Sequence, residues 1–256
     1  MERPQPFGWY HILCVVLALA FVVVLVIFRK QKSETQLKIV LGVYGVVTVI
    51  LEILKQVSWS MTVGENGVVS WGYQWYSAPF QFCTTPMYAA LICLFLKNCR
   101  LRRALLSYIA YITILGSVAV MIWPSDCFVP DILVNVHTMW LHCGSFVVSV
   151  YLLMSGHIDI KKRSLLRASL TFLSFVFLAE ALNTIIYNSG ILQGQTFNMF
   201  YISPYFESTL PVFNMIWGKI PFTLFLFGYI LAMILGGCLI FGIAFAVKKI
   251  SDRIKK

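Results

Sequence analysis

Seven long apolar runs divide this chain, and their length limits its fold more than any other feature. The first, Trp9 to Phe28, can cross a hydrocarbon core of roughly 30 Å at about 1.5 Å of helix rise per residue. The others are Ile39 to Met61, Pro79 to Leu96, Ala104 to Trp123, Ile132 to Met154, Leu165 to Tyr187 and Ile220 to Val247. Inside a bilayer every backbone polar group needs an internal partner, which leaves helices or closed barrels, and continuous runs of this length point to helices. A soluble domain would need a polar surface, and with 59% hydrophobic and 12% charged residues among 256 the chain cannot cover one. The expectation is an all-α, polytopic membrane helix bundle, a single domain over 1–256. Its seven transmembrane helices fall near 9–28, 39–61, 79–96, 104–123, 132–154, 165–187 and 220–247.

Charge sets the orientation. Lys and Arg gather behind the first run (Arg29, Lys30, Lys32, Lys38), the third (Lys97, Arg100, Arg102, Arg103), the fifth (Lys161, Lys162, Arg163, Arg167) and the seventh (Lys248, Lys249, Arg253, Lys255, Lys256). Alternate loops hold only Arg3 and Lys219, and Lys55 lies within a span. Positive residues stay on the cytoplasmic side, so this predicts an N-terminus outside and a C-terminus in the cytoplasm of a multi-pass protein of the cell membrane. The net charge of +10 is thereby explained, and no nucleic-acid partner is expected. Arg3 is balanced by Glu2, no small-residue cleavage site follows, and basic residues close the run, so the first run reads as a retained helix.

The loops are short except the one from Asn188 to Lys219. Its Phe200, Tyr201, Pro204, Phe206 and Phe213 are too apolar for a solvated linker, so it is expected to fold back as a cap on the outer face. The segment Thr62 to Ala78 reads as an interfacial loop rich in Trp and Tyr, and Asp126 and Asp131 mark an acidic outer loop. Seven scattered cysteines give no disulfide framework, and the Gly236-Gly237 pair needs only helix packing.

Ionisable groups in hydrocarbon cost about 2.5–3.5 kcal/mol even on the lenient insertion scale, so their placement carries information. Glu52, Lys55, Gln56 and Trp59 share one face of the second span. Gln81, Thr84, Thr85 and Tyr88 do so on the third, Asn135, Thr138, Met139 and His142 on the fifth, and Glu180, Asn183, Thr184 and Tyr187 on the sixth. Nearly all lie about 5 to 16 Å from the outer boundary. The simplest arrangement is a polar cavity opening outward beneath the long loop, the alternative being a Glu52–Lys55 pair and amides that merely join helices.

In such a cavity His142 is the natural general base. His137 lies about 140° around the helix from it, which also argues against a two-histidine metal site. No metal and no cofactor are expected. His11 and His157 read as interfacial. Cys83 and Thr84 are at a suitable depth for a nucleophile, whereas Cys143 points about 100° away from His142.

Glu52-Ile53-Leu54-Lys55-Gln56, Pro79-Phe80-Gln81-Phe82-Cys83, and His142 with Gly144 and Val150-Tyr151-Leu152-Leu153 resemble the bacterial YwaF-like integral membrane family. So do Asn198-Met199-Phe200-Tyr201 with Pro204, and Ile220-Pro221-Phe222. That family is distantly similar to the transmembrane protein one-six-four family, whose eukaryotic member is a phospholipid acyltransferase thought to use a cysteine and a histidine. The resemblance implies that His142 is that histidine. Aligning the proline of the third span sets Phe80 at the nucleophile position and Gln81 where relatives often carry histidine, so the cysteine role would fall to Cys83, a turn deeper.

The leading expectation is an enzyme acting on membrane lipids, an acyltransferase or acyl hydrolase. His142 and Cys83 would be catalytic, with Glu52, Lys55, Gln56, Gln81, Thr84, Glu180, Asn183 and Asn198 around the substrate. A transporter or a solute- or lipid-binding protein using Glu52, Lys55 and Glu180, or an assembly factor, are the other readings.

Overall fold

Local signals start and stop the helices where the apolar runs meet polar ones. In the computed structural model, which describes residues 2–64, 66–124 and 127–254, Ser33 caps the second helix by accepting from the Gln36 amide at 3.3 Å. Asp131 caps another through the amides of Leu133 (2.8 Å) and Val134 (3.4 Å), and Pro221 stands just ahead of the last. Asp126, Lys255 and Lys256 lie outside the described residues.

The helices are α1 (Trp9–Ile27), α2 (Glu34–Ser60), α3 (Thr85–Phe95), α4 (Arg100–Ile122), α5 (Ile132–Met154), α6 (Lys162–Asn188) and α7 (Phe222–Ile254). Six of them are long and apolar enough to cross a membrane; α3, with its leading turn Phe82–Thr84, is the shorter one. The third span is therefore helical from 82 to 95 and not from Pro79 as expected. The reason is a tertiary tie: the Gln81 side chain is bonded to the distant Asn198 carbonyl, Gln81 itself is extended, and Pro86 sits in the first turn of α3.

The molecule is an all-α polytopic helix bundle. Alternate helices run in opposite directions, so one end carries the basic clusters and the other carries the loop 61–78. That loop holds a two-stranded hairpin the sequence reading overlooked: β1 (Met61–Val63) pairs antiparallel with β2 (Val69–Trp71). Only 11% of the apolar windows of α1 and of α7 is buried, and outer faces such as Leu13, Val23, Phe227 and Leu235 have nowhere to go but lipid.

At the centre stands α4, with Tyr108, Ile109, Tyr111 and Ile112 fully enclosed. A single π turn, Ile109–Thr113, interrupts it. The Ile109 carbonyl, displaced from the regular ladder, is taken up by Thr113 Oγ1 (2.9 Å) and by Ser149 Oγ of α5 (2.8 Å). Against α4 lies α7. A Cβ on Gly236 would stand 2.6 Å from Leu115, and one on Gly237 would stand 2.5 Å from Ile112, so the pair lets two helices approach closely.

Candidate functional site: a buried charged cluster beside an amide clamp

On α2, Glu52 and Lys55 are one turn apart and pair at 2.7 Å, both almost fully buried. Gln56 donates to Glu52 Oε1 (2.7 Å) and to the Ser77 carbonyl (2.6 Å), which also receives Lys55 Nζ at 3.3 Å. From α5, His137 brings Nε2 to 2.8 Å from Glu52 Oε2. That contact is close but poorly aligned for a hydrogen bond, so it acts as an electrostatic contact. Both carboxylate oxygens are thus engaged, while Gln56 Oε1 and Ser60 Oγ are buried without a partner. In the adjoining loop, burial followed by the nearby Glu52 charge pushes the Tyr73 phenol up.

Cys83 reaches this cluster from the turn that begins α3. Lys55 and Glu52 are within electrostatic range of its sulfur. The turn Phe82–Thr84 packs on α4 and α5. There the Phe82 ring lies against Gly116, where a Cβ would come within 3.0 Å. His142 of α5 is enclosed and hydrogen-bonded to the backbone of that same Gly116, with His137 in electrostatic range. Glu52, Lys55, Gln56 and His137 therefore form one contacting group, with Cys83 in electrostatic range of Glu52 and Lys55, and His142 in electrostatic range of His137. His137 is the residue that rotation arguments underrated. Its depth on α5, level with Glu52 on α2, was the available signal.

The expected amides form a second group with a different job. Asn183 of α6 accepts from the Met199 amide (2.7 Å) and donates to the Met199 carbonyl (3.1 Å). Gln81 accepts from the Phe200 amide (2.9 Å) and donates to the Asn198 carbonyl (3.0 Å). Asn198 is itself consumed locally by Ser203, Phe206 and Glu207. Together they hold a turn in which Phe200 and Tyr201 both have positive φ, 60° and 58°, a conformation that needs outside support in non-glycine residues. Gln195 adds a strap to Trp75 N (2.9 Å) and Tyr73 O (3.1 Å).

Thr84 spends its hydroxyl on the Gln81 and Pro79 carbonyls, at 2.8 and 3.2 Å. Half-buried Glu180 receives only Asn183 Nδ2 at 3.3 Å and has no ion-pair partner among the described residues. Part of each stripe joins one of two groups, whereas Asn135 is spent on Val129, Thr85 on Tyr108, and Tyr187 stacks on Tyr205.

Two further histidines, read as interfacial, lie where helices end. His11, in the first turn of α1, is enclosed, accepting from the Phe7 amide (3.0 Å) and meeting the Met121 carbonyl (2.9 Å), which fastens α1 to α4. His157 is also enclosed at the basic end, its side chain 6% exposed. An apolar cavity of 590 Å³ lies between α1, α2 and α5, walled by Cys14, Phe21, Tyr44, Met139 and Cys143. At one end Trp140 closes on Thr48 (3.0 Å), a single turn along α2 from Glu52.

A bundle of apolar helices around a buried polar layer defines a multi-pass integral membrane protein. The family model for the TMEM164 family matches residues 6–240, and the chain belongs to that family. Comparison with curated proteins finds no match, and comparison with solved structures finds none.

Proposed function

We propose that the protein is a membrane lipid enzyme that transfers or hydrolyses an acyl group, with Cys83 as nucleophile and His142 as base. The observation carrying this reading is the position of Cys83: a thiol at a helix start, in electrostatic range of a buried Glu–Lys pair, on a turn packed against the helix that bears His142. Helix starts favour developing negative charge, and a neighbouring cation does the same. The apolar cavity beside the polar layer suits an acyl chain, and its 590 Å³ falls within the usual size of ligand sites.

In this reading the thiol gives its proton to His142 and attacks the carbonyl carbon of a lipid ester. The C–S bond forms, the C–O bond breaks, and His142 returns the proton to the departing alkoxide. Water or a second lipid hydroxyl, deprotonated by His142, then attacks the thioester and restores the thiol. Glu52 and Lys55 orient the site, and the closer likeness to the YwaF-like bacterial proteins, an exterior N-terminus and a place in the cell membrane belong to the same proposal. Lipid mass spectrometry of cells making the wild type, Cys83→Ala or His142→Ala tests it. Changed acyl composition in the wild type alone is expected, and identical lipids in all three at equal protein levels contradict it.

One observation favours a second reading, transport or binding of a solute or proton: three ionisable side chains, Glu52, Lys55 and His137, are buried together at membrane depth. Solute uptake that responds to Glu180→Gln and not to His142→Ala supports transport over acyl transfer.

A further inference from the structure

At the basic end, opposite the polar layer just described, a second cavity of 340 Å³ opens between the loops and helix starts. It is built by two stapled loops. Lys32 N donates to the Ser155 carbonyl (2.9 Å) and Gln31 Nε2 to the Met154 carbonyl (3.0 Å), tying the α1–α2 turn to the α5–α6 turn. Gly156 has a positive φ of 75°, and a Cβ there would come 2.8 Å from Gln31 Oε1, so the staple requires glycine.

Cations reach this cavity from three separate elements: Lys32 from the α1–α2 turn, Arg103 from α4 and Arg167 from α6. Arg100 and Arg163 stand within electrostatic range of Arg167 as well. Two acids share the space. Glu34 is committed to the buried Arg102 at 2.7 Å, which leaves Asp159 to face the other arginines. His157 lines the cavity, its side chain 6% exposed. Its Nδ1 lies 4.0 Å from Glu34, and the ring packs beside the Ser33 backbone. Several cations converging on one cavity with a single unpaired acid attract an anion, and guanidinium forks suit phosphate oxygens.

From this arrangement we infer that the cavity binds a phosphate group through Lys32, Arg103 and Arg167, with His157 on its wall. The group belongs either to an anionic phospholipid headgroup or to a soluble phosphate compound, since a basic pocket between membrane helices serves both.

The test uses the full-length protein in phosphatidylcholine nanodiscs. One arm titrates inorganic phosphate and reads the shift in melting temperature; the other adds phosphatidic acid and reads its retention by native mass spectrometry. Binding in either arm supports the site, the first alone indicating a soluble ligand and the second alone a headgroup. The double variant Arg103→Gln with Arg167→Gln should weaken binding by about tenfold or more. Should the double variant fail to fold, Lys32→Gln, exposed on its turn, carries the same expectation. Wild-type protein that responds to neither probe, or variants that bind as well as the wild type, overturn the inference.

Discussion

The charged cluster and the amide clamp both bond to the segment 77–81, yet they use polar side chains in opposite ways. In the clamp, Gln81 and Asn183 each offer a donor and an acceptor to one stretch of backbone, and both are taken. In the cluster, Glu52 holds three groups while Gln56 Oε1 and Ser60 Oγ stay unpartnered. Fully paired amides fix a shape. A crowded buried carboxylate with unpartnered polar neighbours is expensive to maintain.

The sharpest way to break this contrast is Glu52→Ala, which strands buried Lys55 and His137; a loss of about 3–5 kcal/mol in denaturant unfolding is expected. Pairing Glu52→Leu with Lys55→Met should recover most of that stability while abolishing the lipid phenotype. Recovery of both would make the cluster structural, like the clamp. Next comes Asn183→Leu, which orphans the Met199 amide and carbonyl, with an expected loss of about 2–3 kcal/mol and faster amide hydrogen exchange confined to 198–203. Lipid changes that persist in folded Asn183→Leu protein would support the division of labour.

Gly236→Leu serves as a control distant from both regions. Overpacking against Leu115 should cost about 1–3 kcal/mol and leave lipid turnover per folded molecule unchanged. The smallest effect concerns pH. Burial lowers the His157 pKa below 6.5, with Glu34 opposing. The unfolded chain therefore takes up the proton first, so this contribution is present above pH 6.5 and is lost on acidification below it. Melting temperatures from pH 7 downward should fall more steeply for the wild type than for His157→Gln.

Much of the bundle was legible because hydropathy and caps act locally. The span at 132–154 has the boundaries that its run and Asp131 suggest, and α1 ends within a residue of Phe28. The third span was misplaced because Pro79–Gln81 is shaped by a partner more than a hundred residues away. Its apolar letters do not record that tie. The hairpin 61–71 was missed although Asn66-Gly67 is a common hairpin turn signal. Within the site, helical spacing put Glu52, Lys55 and Gln56 on one face, and they meet. Spacing could not separate Gln81 and Asn183, which grip backbone, from residues that face a substrate, because an amide reads the same in either role.

The most direct test is covalent. Purified protein incubated with phospholipid and quenched in acid should carry an acyl thioester on Cys83 by peptide mass spectrometry. The adduct should be absent from Cys83→Ala and greatly reduced in His142→Ala. A Cys83 that stays unmodified in active, lipid-altering protein, or an equal adduct without His142, contradicts acyl transfer through this thiol.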